Sequence, residues 1–152
     1  MNVIFLDIDG VMNHNLHMIR SELHDNFEFC PVATNHLKEI LTKTDSKIVL
    51  SSSWRIGETV KSLKEELFCH YDLQDYIIGL TPFSGQYNEQ RGLEIQQYID
   101  AVKETERHVD RFVIIDDDKD MVHLMGRLVY VNRICGLSSV EKKDEAIRLM
   151  FQ

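Results

Sequence analysis

Short apolar runs recur along the chain, each closed by polar residues or glycine. Between them the apolar positions fall three and four residues apart. Val3-Ile4-Phe5-Leu6 is continuous, rich in β-favouring side chains and ended by Asp7, the pattern of a strand buried on both faces. Residues 47–50, 76–80, 112–115 and 128–131 follow the same rule and predict four more strands. Pro31 suits the first turn of a helix, with Leu37, Ile40 and Leu41 as its apolar face. Val60, Leu63, Leu67 and Phe68 repeat that spacing, as do Leu93, Ile95, Tyr98, Ile99 and Val102. Ser138, with Glu141 three residues on, predicts a capping box before a last helix faced by Val140, Ala146, Ile147 and Met150. Strands alternating with helices need crossover connections, so the prediction is an α/β domain on a mainly parallel five-stranded sheet. Chemistry in such sheets gathers in the crevice beyond the carboxyl ends of the strands.

Composition changes this picture little. A chain of 152 residues with 43% hydrophobic content has the size and core of one soluble domain, residues 1–152, and shows no repeat or linker. The net charge of -8 argues against a general nucleic-acid binder, which presents a basic stripe. No apolar run approaches the ~18 residues that a membrane span requires. The first residues lack a basic region and turn acidic at Asp7, unlike a secretory signal. Cys30, Cys69 and Cys135 are odd in number and dispersed, fitting buried free thiols in a reducing cytoplasm rather than a disulfide or zinc framework.

Candidate chemistry clusters where three predicted strands end. After the first come Asp7-Ile8-Asp9-Gly10. Two carboxylates beside a permissive glycine make either a simple turn or a nucleophile with a proton shuttle. After the second come Ser51-Ser52-Ser53-Trp54-Arg55, whose hydroxyls and N–H groups suit phosphoryl oxygens or the cap of a following helix. After the fourth come Asp116-Asp117-Asp118, then Asp120. Consecutive like charges suit an oxygen-ligated Mg²⁺ or a solvated acidic turn, and Asp118 and Asp120 fit solvation or capping better than metal ligation.

Together these clusters resemble the haloacid dehalogenase (HAD) superfamily. Residues 3–11 match its first motif, residues 48–51 its second and residues 112–117 its fourth, in the family's order. The resemblance implies a Rossmann-like three-layer sandwich and a Mg²⁺-dependent phosphomonoester hydrolase working through an aspartyl-phosphate. Asp7 would be the nucleophile and a metal ligand. Asp9 would be the general acid/base and lend its backbone carbonyl to the metal. Ser51, with Ser52 beside it, would bind the phosphoryl group, while Asp116 and Asp117 complete the metal site. Arg91 is taken as the family's lone cation, with Arg55 and Lys119 in reserve.

The gaps between motifs leave no room for a large cap, and only residues 14–29 make a short flap. Arg91-Gly92-Leu93-Glu94-Ile95, the serine run and the small size are similar to the HAD domains of nucleic-acid end repair, including the Swiss Army Knife RNA-repair type. That resemblance implies a phosphorylated substrate such as a nucleic-acid end or a nucleotide. The alternatives are phosphoproteins or small metabolites on the same site, a non-catalytic binding module, and a response-regulator-like receiver, which the aspartate pair after the first strand disfavours. Trp54 fits packing better than base stacking, and His14, His17 and His24 are expected to be solvated.

Overall fold

The computed structural model describes residues 1–85 and 90–152. Five strands, β1 (Asn2–Leu6), β2 (Ser46–Leu50), β3 (Ile77–Leu80), β4 (Arg111–Asp116) and β5 (Leu128–Tyr130), form one sheet in the order β3-β2-β1-β4-β5. Every neighbouring pair is parallel. The helices are α1 (Pro31–Thr44), α2 (Val60–Glu66), α3 (Arg91–Val102) and α4 (Val140–Met150).

Alternation along the strands splits the core into two layers. Ile4, Leu6, Ile48, Leu50, Val113 and Ile115 pack with Leu37 and Ile40 of α1, Leu63 of α2, and Ala146 and Met150 of α4. Val3, Phe5, Val49 and Ile114 face the other way, onto Ile95 and Tyr98 of α3. Phe5 meets the Tyr98 ring edge-on at 5.8 Å. With helices on both faces, the sheet needs continuous apolar strands, as the pattern predicts. Pro31 opens α1, and Asp45 closes it in the left-handed region at φ 48°. Among the described residues, no helix is long and apolar enough to cross a membrane.

Several expectations change. The cap of α4 is Ser139, whose hydroxyl accepts from the Lys142 N–H; adjacent serines are not separable by spacing. Leu93 and Val140 are 39% and 55% exposed, because at 3.6 residues per turn they lie off the stripes of Ile95–Tyr98 and Ala146–Met150. Cys30 is buried, but Cys69 is exposed and Cys135 half-buried. His14 is 3% exposed, its Nε2 at 2.7 Å from the Ser138 hydroxyl. His17 pairs with Glu28 and His24 with the Tyr71 hydroxyl, so none of the three is simply solvated.

Candidate active site

The strand order brings together residues far apart in sequence. β1 is central, with β2 on one side and β4 on the other. The chain reverses its direction of travel across the sheet there, which opens a crevice at the carboxyl ends. Asp7 leaves β1, Ser51 leaves β2 and Asp116 closes β4. Asp7 is 5% exposed and Asp116 is fully buried. One carboxylate oxygen from each of Asp7, Asp116 and Asp117 lies within 4.8 Å of the others. Gly10 lets Asp117 approach: its φ is +79°, and a Cβ there would lie 2.2 Å from Asp117 Oδ2.

Such a cluster is electrostatically incomplete. Burial, then Asp116, raises the pKa of Asp7 well above the usual carboxylate range, against the pull of Arg91. Burial likewise raises Asp116 to about 6, again opposed by Arg91. Arg91 Nη1 lies 3.1 Å from Asp7 Oδ1 and 2.6 Å from Asp116 Oδ2. Burial alone would lower the Arg91 pKa; Asp7 and Asp116 outweigh it and hold it raised. Asp117 accepts from Arg133 at 2.9 Å. Three carboxylates with oxygen-only donors, still short of positive charge after Arg91, suit a hard cation such as Mg²⁺. Asp7, Asp116 and Asp117 therefore fit a metal as a donor set.

Arg91 is aimed by its own helix terminus. Asp120 Oδ2 accepts from the Arg91 backbone N–H at 3.1 Å, and the Asp120 carbonyl accepts from Gly92 N–H at 3.0 Å. Gly92 permits this closeness, since a Cβ there would lie 2.2 Å from the Met121 carbonyl oxygen. Asp120 thus caps the start of α3, not the segment 121–125 that follows it in sequence, where the sequence predicts capping; that turn has no side-chain cap.

Asp9 stands apart from the acidic cluster. Its carboxylate is exposed, with Oδ1 accepting from Asn13 Nδ2 and Oδ2 from Trp54 Nε1, each at 3.0 Å. Ser51 is fully buried and its Oγ has no hydrogen-bond partner, an anomaly in a protein interior. Ser52 Oγ caps the next turn by accepting from Trp54 N–H. Arg55 is buried, donates to the Ser51, Ser52, Thr81 and Pro82 carbonyls, and pairs with Glu94 at 3.1 Å. Lys119 lies over the Tyr130 ring.

Asp7, Ser51, Arg91, Asp116 and Asp117 all reach this edge of the sheet. Asn13, Arg133, Trp54 as a donor and the contact of Asp120 with α3 have no signal in the sequence. Only Trp54 stood near a motif; the others come from loops whose position depends on the finished fold. A family model described as HAD domain in Swiss Army Knife RNA repair proteins matches residues 3–141. No curated protein and no solved structure gives a match.

Proposed function

The chain belongs to the family of HAD domains in Swiss Army Knife RNA repair proteins, and from that membership and the geometry above we propose that it hydrolyses phosphomonoesters of nucleotides or nucleic-acid ends. The observation that carries the reading is the buried Asp7–Asp116–Asp117 cluster with Arg91 set between two of its members.

Asp7 attacks phosphorus as the bond from phosphorus to the leaving oxygen breaks, and Asp9 gives that oxygen its proton. Water then attacks the phosphorus, Asp9 takes its proton, and the bond to Asp7 breaks to release phosphate and restore the carboxylate. Asn13 and Trp54 hold both Asp9 oxygens and so fix where the proton is delivered. Ser51 Oγ, otherwise unpartnered, grips a phosphoryl oxygen, and Ser52 shapes the turn beside it. Arg91 stabilises the equatorial oxygens as charge shifts. Mg²⁺ held by Asp7, Asp116 and Asp117 would offset the repulsion between the cluster and the phosphate.

Asp7→Asn should lower Mg²⁺-dependent hydrolysis of nucleoside monophosphates about 10⁴-fold or more, with the melting curve retained. Full activity in that variant would remove the nucleophile assignment. A parallel panel of phosphopeptides and sugar phosphates tests the substrate class, and equal turnover across it would exclude the nucleotide reading.

A further inference from the structure

A cleft of about 880 Å³ opens beside Asp9, a volume within the range of small-molecule sites. Residues 21–26 line it together with Trp54, Ile56, Leu63, Glu66 and His70. The chemistry proposed above uses Asp9 and Trp54 from this cleft but leaves the rest of it unassigned.

The cleft carries aromatic rings set in advance. The His24 ring stands edge-on to Trp54 at 6.4 Å and lies nearly parallel to His70 at 5.9 Å. The Asp25 carbonyl accepts from His24 Nδ1 at 2.6 Å, while Nε2 lies 2.7 Å from the Tyr71 hydroxyl. That hydroxyl also accepts from the Phe29 N–H, and the Phe29 and Tyr71 rings stack at 4.2 Å. Both nitrogens of His24 are therefore engaged, and its ring is held in place at the cleft before anything binds.

The charge of the cleft is one-sided. Asp9, Glu22, Asp25, Glu58 and Glu66 line it, and among the described residues no lysine or arginine does. The nearby cations Arg91 and Arg133 are instead paired with Asp7, Asp116 and Asp117. Since Asp9 delivers its proton to the leaving oxygen, the group attached to that oxygen extends into the space on which Asp9 opens. A ring stacks well on the aromatic groups, hydroxyl and amino groups find acceptors in the carboxylates, and an anion meets the like charges of Glu22, Asp25, Glu58 and Glu66.

Resting on the phosphohydrolase reading, we infer that this cleft is the leaving-group subsite and takes an uncharged nucleoside, so that a lone nucleoside monophosphate is preferred to one whose nucleoside carries a second phosphate. A strand end falls in the disfavoured class, because its next phosphate accompanies the terminal nucleoside. The net charge of -8 acts in the same direction.

The experiment measures kcat and KM with Mg²⁺ for adenosine 3′- and 5′-monophosphates, adenosine 3′,5′-bisphosphate, a 5′-phosphorylated oligonucleotide and glycerol phosphate. The better monophosphate should exceed the bisphosphate and the oligonucleotide in kcat/KM by about tenfold or more at low salt. Added salt should narrow the gap, as should the paired substitution Glu58→Gln with Glu66→Gln, whose exposed side chains make it safe for folding. His24→Ala should raise KM for the monophosphate about tenfold more than KM for glycerol phosphate. Equal turnover of the bisphosphate or oligonucleotide, or a gap unmoved by the glutamine variant, overturns the subsite while leaving the phosphohydrolase intact. Failure to hydrolyse any of these esters overturns the phosphohydrolase reading itself.

Discussion

Arg55 uses all five guanidinium N–H groups on fixed acceptors: four backbone carbonyls and one oxygen of Glu94. Arg91, drawn into the same end of the sheet, shares a single nitrogen between Asp7 and Asp116. One cation faces one carboxylate in the first case. In the second, three carboxylates converge and Arg91 leaves them short of positive charge. The first site is saturated and holds the turn after β2 against the start of α3. The second retains capacity for a ligand, which is why Arg91, the expected cation, and Arg55, its reserve, take different roles.

Breaking the saturated pair should have the largest effect. Arg55→Met strands a buried Glu94 carboxylate and several carbonyls, and chemical denaturation should show a loss of about 3–5 kcal/mol. Replacing Met for Glu94 in the same chain should recover part of it.

At the unsaturated site the effect moves from stability to rate. Arg91→Gln should lower kcat about 10²–10³-fold, with a smaller stability change than Arg55→Met, since Asp7 and Asp116 can take up protons once their cation is gone. A melting shift as large as that of Arg55→Met, with kcat retained, would erase the distinction between the two arginines.

The third difference is in pH dependence. Asp116 titrates in the fold at about 6, above its ordinary 3.8, and Asp7 is raised as well. Between those values the folded form holds more protons than the unfolded one, so stability falls as pH rises through the window. For Asp116 the loss is on the order of 3 kcal/mol at most, and it should be complete by about pH 7 in chelator. Added Mg²⁺ should therefore raise the melting temperature more at pH 7 than at pH 5. An equal increment at both pH values would show that the cluster does not carry the metal.

Much of this was visible in the chain because parallel strands buried on both faces must be continuous and apolar, and their carboxyl ends mark the crevice. Asp7, Ser51 and Asp116 are legible for that reason. Asn13 and Arg133 are not, because each reaches the site from a loop with no periodicity, and Asp120 is legible as a polar turn residue but not as the cap of a helix far from it in sequence. Trp54 was weighed as packing or as a stacking face, and its indole N–H on Asp9 had no signature in the residues around it. Leu93 and Val140 show the limit of counting apolar residues without asking which face of the helix each occupies. The paired serines 138 and 139 show that spacing alone does not choose between neighbours: one caps α4, while the other meets His14 and Cys30.

β1 lies between β2 and β4, and Asn2 is opposite Arg111. The strand that carries the nucleophile therefore emerges well before β4, and one of its edges has no partner until residues 111–116 follow. Until then that edge is an open template of unpaired backbone groups, and closing it is a long-range step that slows folding. Asp116 arrives on the strand that closes the edge. The acidic cluster is thus assembled by the same event that covers the open edge of β1.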